Sequence, residues 1–213
     1  VQVTHCKSGV ISYRLHPTEN KIAFTAVKPK SAKEKKLEEK GYGFIFYEEN
    51  LRHRNLYLLD LDKETGENNP KQLTEGQTVW SFVFSRDGKQ VAAQISPENL
   101  VDHMYMFKRI FLLDVESGNI KKLVDNPGKL GNMAFSPDGT KLAYTGALER
   151  KDHAVSQVFV VDIKSGEQKN LTPPDFRGHV SRVYWKNDKT IMYVSGEGVW
   201  PKLSQVAAKG GER

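Results

Sequence analysis

The residues with the clearest chemical potential lie in the segment FIFYEENLRHRN, residues 44–55. Glu48 and Glu49 are adjacent there, and Arg52 follows three residues later. Two neighbouring carboxylates can hold a protonated amine through charge-assisted hydrogen bonds. The same carboxylates can instead pair with the nearby arginines as a charged strand end at the protein surface. We therefore take Glu48, Glu49 and Arg52 as candidate substrate-binding residues, with a cluster of surface ion pairs as the alternative.

Motifs for covalent catalysis or metal binding are missing from the sequence. No Gly-x-Ser-x-Gly nucleophile elbow occurs, and the stretch SGEGVW at 195–200 does not fit that pattern. The single cysteine, Cys6, and the scattered histidines show no metal-ligand spacing. We expect no catalytic residue, no metal and no cofactor in this chain, and we expect each histidine to be a polar turn or surface residue. The histidines are His5, His16, His53, His103, His153 and His179.

Three aspartates recur in one local context. Asp60, Asp114 and Asp162 each end an apolar run and precede a polar turn that contains a glycine. A catalytic acid need not occur in every repeat, whereas a residue that closes a turn must. The recurrence therefore favours a structural role in the turns.

The elements that hold these residues are repeated β-hairpins. The segment AFSPDGTKLAYTG, residues 134–146, reads as a strand, a tight turn and a second strand. The same pattern recurs around Leu15, Phe84 and Trp185, and the last two intervals are roughly 50 residues long. Each hairpin is followed by an apolar strand ending in Asp and by a short fourth strand, except that the last repeat stops after its third.

Units of four antiparallel strands with this period predict the blades of an all-β propeller. A β-sandwich would not need the regular period, and a parallel α/β fold would need helical crossovers for which there is no room. We predict one partial β-propeller domain, 1–213, with about four four-stranded antiparallel blades taken from a ring of seven or eight. The blades are expected at approximately 8–74, 78–124, 129–172 and 179–213, with an insertion at 28–43 and residues 1–4 as the outer strand of a preceding blade.

Composition limits the partners. The 213 residues carry a formal net charge of +6, and lysines are concentrated in the segment 28–40. Glutamates alternate with these lysines and aromatic residues are missing, which favours a solvated loop or short helix over a nucleic-acid-binding face. No long apolar stretch is present. We expect no nucleic-acid partner, no membrane partner and a cytoplasmic location.

The repeated FSPDG-K-LAY hairpins, with LY-LD---G and --LT strands after them, resemble the TolB-type propeller repeat. The passages GVISYRLHPTENKIAFTAVKP and GYGFIFYEENLRHRNLYLLDL resemble the N-terminal propeller of prolyl-oligopeptidase-family serine peptidases, which include acylaminoacyl and dipeptidyl peptidases. This resemblance covers essentially the whole chain. It implies a propeller that gates access to a C-terminal α/β-hydrolase domain and contributes contacts to a peptide substrate.

The resemblance also bears on the carboxylate pair and on the extent of the protein. Glu48 and Glu49 are similar to the Tyr-Glu-Glu segment by which dipeptidyl peptidases hold a substrate's free amino terminus. The hydrolase domain has no counterpart in this sequence, which begins at Val1 rather than Met, so we expect a piece of a longer serine peptidase. The alternative is a stand-alone TolB-like scaffold for protein–protein interaction.

The incomplete fourth blade determines how the chain is expected to assemble. Residues 1–4 could complete it and close a four-bladed ring, or the blades could remain an open arc whose ends associate with a second copy. We favour the open arc, and therefore a homo-oligomer, because the blade sequences match those of wide rings.

Overall fold

The computed structural model describes residues 2–4, 6–44, 51–63 and 69–212. Within these ranges the strands form four antiparallel sheets, three of four strands and one of three. The all-β propeller fold predicted from the repeats is confirmed, and the last described sheet has three strands as expected. No described helix is long and apolar enough to cross a membrane.

Blades 1 and 2 each contain four strands in sequential order. Blade 1 consists of β1 to β4: Ser12–Leu15, Lys21–Val27, Arg54–Asp60 and Lys71–Gln72. Blade 2 consists of β5 to β8: Thr78–Phe84, Gln90–Ser96, Arg109–Asp114 and Ile120–Val124.

Blades 3 and 4 continue the same order. Blade 3 consists of β9 to β12: Leu130–Phe135, Lys141–Ala147, Ser156–Asp162 and Gln168–Asn170. Blade 4 consists of β13 to β15: His179–Asn187, Thr190–Glu197 and Trp200–Ala207. The first strands β5, β9 and β13 lie beside one another, so the first strand is the innermost one in blades 2 to 4.

The hairpin between the first two strands closes as its residues predict. In blade 3 the Ser136 hydroxyl donates to Asp138 Oδ1 at 2.6 Å, and the same oxygen accepts from the Thr140 backbone N–H. Gly139 has a φ of +72°, which glycine adopts without steric cost. These hydrogen bonds, with the Ser136 bond first, hold the pKa of Asp138 below its usual range. Blade 2 repeats the arrangement at 85–89.

Blade 1 builds this turn with a histidine in place of the serine. His16 Nδ1 accepts the Glu19 backbone N–H at 3.1 Å, so the neutral ring carries its proton on Nε2. That nitrogen lies 3.1 Å from the carbonyl oxygen of Gly88, in the matching turn of blade 2. His16 is buried against Phe84. His16 is therefore a turn residue, one of the two expected alternatives, and its ring also fills space between two blades.

The turn after the third strand confirms the structural role of the recurring aspartates. Asp114 Oδ1 accepts from both the backbone N–H and the hydroxyl of Ser117, and Asp162 does the same with Ser165. In both cases the backbone hydrogen bond is the largest cause that lowers the pKa of the aspartate. Asp60 Oδ1 accepts the backbone N–H of Asp62, while residues 64–68 lie outside the described residues.

The insertion in blade 1 contains one α-helix, α1, Ala32–Glu39. Ser31 caps its first turn, and the Ser31 and Glu34 side chains each bond the other's backbone N–H in a capping box. Lys30 pairs with Glu38 at 2.7 Å. No residue of α1 is buried. The segment is thus a solvated short helix held by local contacts, one of the two forms expected from its charge pattern.

Hydrophobic clusters lie between neighbouring blades. In β6, Val91 and Ala93 pack in the cluster shared with blade 1, whereas Ala92 packs in the cluster shared with blade 3. Ala143 of β10 likewise faces blade 4 while its neighbour Leu142 faces blade 2. Both faces of these sheets are buried, which explains why their second strands read as continuous apolar runs. No described cluster joins blade 1 to blade 4.

Side-chain hydrogen bonds also link neighbouring blades. Each joins a side chain of one blade to the backbone of a neighbouring blade: Gln94 to the Gly131 carbonyl, Asn132 to the Val183 N–H, Trp185 to the Ala134 carbonyl, and Asp188 to the Asp138 N–H. Such directional bonds fix the position of one blade on another more narrowly than apolar contact alone. The described residues 2–4 form no strand, and their assignment to a preceding blade stays a prediction.

Candidate binding face at the insertion end

The loops that join second strands to third strands all emerge at one end of the propeller, which we call the insertion end. Antiparallel pairing brings the start of each first strand and the end of each second strand to this end. The connections concerned are residues 28–53, 97–108, 148–155 and 198–199. Two of these connections, 97–108 and 148–155, are fully described and longer than a tight turn, and loops of this kind commonly carry binding sites.

Arg52 closes the base of the insertion. Its Nη1 donates to the Lys28 carbonyl at 2.8 Å, and its own carbonyl accepts from Asn99 Nδ2 of blade 2 at 2.9 Å. Arg52 is half-buried. Arg52, a predicted substrate-binding residue, thus connects the end of the 28–53 connection to its start at Lys28 and to blade 2 at Asn99. Glu48 and Glu49 lie outside the described residues, and the prediction that they bind an amino terminus stays a prediction.

The two residues after Arg52 point into the interface of blades 1 and 2. His53 Nδ1 lies 3.1 Å from the Thr78 hydroxyl. The Arg54 guanidinium lies over the Trp80 ring, 4.5 Å from its centroid, and Trp80 donates its indole N–H to the Ser96 hydroxyl. Burial lowers the pKa of Arg54 from its usual value, but a guanidinium remains charged. The interface of blades 1 and 2 is therefore polar and cationic at this end.

A π-helical turn, His103–Phe107, extends the connection of blade 2. The guanidinium of Arg150, from the matching connection of blade 3, lies 5.1 Å from the Phe107 ring centroid. Arg109 follows the turn, bonds back to the carbonyls of Met106 and Lys108, and pairs with Asp125 at 3.0 Å. These contacts fix the position of the turn above the inner strands.

The turn forms one wall of a cleft of about 340 Å³. The opposite wall comes from His179 and the start of β13, and Leu130 and Gly131 of β9 lie between the two. Lys108 also lines the cleft, and burial lowers the pKa of its ammonium to about 8. The cleft therefore places a poorly solvated cation near the propeller's inner rim. The sequence did not reveal this site, because its residues come from three blades.

A second cavity, of about 540 Å³, lies between blades 1 and 2 at the hairpin end. Its lining carries both signs of charge, lysines and carboxylates together. Lys71 donates to the carbonyls of Val115 and Glu116 across the interface, and Lys21 pairs with Glu19. Compensated charges of this kind fit a joint between blades better than a ligand site.

The described residues contain no group of three side chains arranged to hold a metal ion. His53 and His103 are half-buried; His53 bonds Thr78 of blade 2, and His103 accepts the nearby Glu98 N–H. His179 is exposed, and its Nδ1 accepts the Ser156 backbone N–H at 3.2 Å. Of the histidines singled out in the sequence, His179 is the one that lines the Lys108 cleft.

No protein-family model matches this chain, and no curated protein matches it significantly. Solved structures do match. A dipeptidyl peptidase 4 of Porphyromonas gingivalis superposes with a TM-score of 0.62 at 14% identity, covering 94% of this chain and 31% of that one. A TolB protein of Agrobacterium tumefaciens gives 0.60 at 15% identity, covering 94% of this chain and 62% of that one.

An oligogalacturonate lyase of Vibrio parahaemolyticus gives a TM-score of 0.59 at 16% identity and covers 96% of this chain and 53% of that one. The chain thus spans less than two thirds of each of these three proteins. At such identities the likeness establishes the fold alone. That fold is the TolB-like β-propeller predicted from the repeats.

Proposed function

We propose that the chain is the propeller portion of a prolyl-oligopeptidase-family serine peptidase that acts in the cytoplasm. The propeller would restrict entry to short peptides and contribute substrate contacts to an α/β-hydrolase domain of the same protein. The observation that carries the proposal is the connection 28–53, which leaves blade 1 at the insertion end and contains the insertion at 28–43 followed by the family-like passage around Glu48 and Glu49. Its base is held by Arg52 and Asn99.

The similarity to a dipeptidyl peptidase supports this proposal, since nearly all of this chain matches under a third of that protein. A TolB-like scaffold for protein–protein interaction is the second candidate. It is favoured by the larger share of a TolB protein that the chain covers, 62%. The two candidates differ in whether a serine nucleophile is present elsewhere in the protein.

The test is to express the complete reading frame and the 213-residue chain separately and to treat both with a serine-reactive fluorophosphonate. The peptidase proposal expects labelling of one serine outside residues 1–213, within Gly-x-Ser-x-Gly, and none in the short chain. A complete protein without a labelled serine would favour the scaffold. Labelling or peptide hydrolysis by the short chain alone would contradict both candidates.

The role of the carboxylate pair is tested in the complete enzyme. Changing Glu48→Gln together with Glu49→Gln should raise KM for substrates with a free amino terminus at least tenfold, while N-acetylated substrates should change little. Arg52→Lys is the matched variant, since it keeps the positive charge that follows the pair in the sequence. An equal rise in KM for both substrate types would leave the pair with a structural role only.

A further inference from the structure

The cleft beside Lys108 carries positive charge that the described residues do not compensate. Lys108 and Lys129 both line it, and neither Asp nor Glu is among its described lining residues. Lys129 donates to the Asp152 carbonyl, whereas the Lys108 ammonium has no hydrogen bond or ion pair within the described part of the chain. The Lys108 side chain is half-buried, so its ammonium is less hydrated than an exposed one and is available to an acceptor from a ligand.

Neutral hydrogen-bond donors lie around this cation. The Ser156 N–H bonds His179 Nδ1, so the neutral imidazole carries its proton on Nε2 and can donate from there. Thr145 and Ser181 also line the cleft, and the Ser181 hydroxyl already donates to the Val194 carbonyl. The Lys108 ammonium, the His179 imidazole N–H and the Thr145 hydroxyl together form a set of donors with one uncompensated charge.

Gly131 keeps the cleft open between its two walls. A Cβ added there would collide with the Thr145 hydroxyl, so any larger residue would displace that donor or fill the cleft. The Gly131 carbonyl accepts a hydrogen bond from Gln94 Nε2 of blade 2, so this acceptor in the cleft wall is already satisfied. The site therefore has the polarity of an acceptor-binding pocket.

From this geometry we infer that the cleft binds a carboxylate group, through Lys108 with His179 as second donor. A single free ammonium with neutral donors matches the single charge of a carboxylate. Phosphate dianions are commonly bound by arginine clusters or by several backbone N–H groups at a helix N-terminus, and neither lines this cleft. The inference goes beyond the proposed peptidase function and does not depend on it, because the cleft lies wholly within this chain.

The test uses the 213-residue chain labelled with ¹³C-lysine and three probes. The probes are N-acetyl-Ala-Ala-Ala with a free carboxylate, the same peptide as its C-terminal amide, and acetate. We expect the free acid to shift the Lys108 ¹³Cε resonance saturably and to bind at least tenfold more tightly than the amide. Acetate that binds as well as the peptide would assign the site to small carboxylates, and weaker acetate binding would assign it to peptide ends.

Variants identify the residue responsible. Lys108→Met should weaken binding of the free acid at least tenfold, Lys108→Arg should retain it within a few-fold, and His179→Ala should weaken it severalfold. Lys121→Met, an exposed lysine on the outer strand of the same blade, is the charge-matched control and should change affinity less than twofold.

Three results would overturn the inference: equal affinity for acid and amide, undiminished binding by Lys108→Met, or binding of inorganic phosphate without binding of the carboxylates. If Lys108→Met fails to fold, Lys108→Arg, His179→Ala and the wild-type titrations with acid and amide still decide. Failure of this test would leave the proposed peptidase function intact, since that function is judged by fluorophosphonate labelling of the complete protein.

Discussion

Gly88 and Gly139 occupy the same turn position in neighbouring blades, but their surroundings differ. Both have φ near +70°, yet only at Gly88 would an added Cβ collide with another residue, the His16 ring. Gly139→Ala should cost about 1–2 kcal/mol of unfolding free energy for the left-handed backbone alone. Gly88→Ala should cost about 1–3 kcal/mol more, because the ring must move.

Urea denaturation of both variants measures this difference. The His16→Ala background isolates the collision: there Gly88→Ala should cost no more than Gly139→Ala does. Equal losses of unfolding free energy for the two glycine variants in the wild-type background would show that the His16 ring moves aside at no cost in stability.

Lys108 gives the stability of the chain a dependence on alkaline pH. Burial lowers the pKa of Lys108 from 10.5 to about 8, so between these values the unfolded chain holds a proton that the folded chain has lost. The free energy of unfolding should therefore rise with pH across this window, by on the order of 2 kcal/mol relative to Lys108→Met.

Urea unfolding at pH 7.5 and at pH 10 checks this dependence, with Lys121→Met as the control that should follow the wild type. Burial raises the pKa of Tyr144, which acts in the opposite direction once free tyrosine ionises, so the comparison is confined to pH 10 and below. A Lys108→Met variant whose stability rises with pH as steeply as the wild type would contradict the assignment.

At the scale of elements, α1 depends on its cap rather than on the core. It is eight residues long and buries none of them, so the Ser31–Glu34 capping box and the Lys30–Glu38 pair are its main support. Ser31→Ala should remove about 1 kcal/mol from the helix and speed amide exchange across residues 32–39 severalfold. Global stability should stay within about 0.5 kcal/mol, since surface changes away from the core rarely exceed that.

Hydrogen exchange followed by mass spectrometry resolves the segment, and Ser31→Asp, which can also cap, should exchange like the wild type. A large loss of global stability on Ser31→Ala would contradict this prediction, because it would mean that blade 1 depends on α1 for its stability.

The hairpin turns and the recurring aspartates were predictable from sequence because their chemistry is local. The Asp138 carboxylate bonds residues within two positions of itself, and the Asp162 carboxylate bonds residues within three. The Lys108 cleft was not predictable, since Lys108 and His179 are brought together only when blades 2, 3 and 4 stack. The lysine before the apolar run RIFLLD reads as an ordinary strand start. Nor could the sequence show that His16 faces Gly88 in the next blade.

At the scale of the whole molecule, the two end blades expose apolar side chains. Tyr13 and Leu15 of blade 1 are 59% and 67% exposed, and Leu203 of blade 4 is 65% exposed. No described cluster connects these blades. The purified chain should therefore associate with rising concentration, and Leu15→Glu with Leu203→Glu should shift it to monomer.

Light scattering over a hundredfold range of concentration measures the association. Leu37→Glu, on the exposed helix α1, is the control that should leave it unchanged. A chain that stays monomeric throughout, with slow amide exchange at residues 2–4, would instead support closure by the amino-terminal segment.

The side-chain bonds between blades have a consequence for folding fidelity. Similar repeats in one polypeptide can exchange places during folding, because each blade presents much the same apolar surface to any neighbour. The bonds described above differ from joint to joint: His16 to Gly88, Gln94 to Gly131, Asn132 to Val183 and Asp188 to Asp138. A blade stacked out of order would leave the buried or partly buried partners of the first three bonds unpaired, at a cost of about 1–3 kcal/mol each, whereas the Asp188 bond is exposed. These polar residues differ from one blade to the next, so their hydrogen bonds stabilise the native order of the blades relative to any rearranged order.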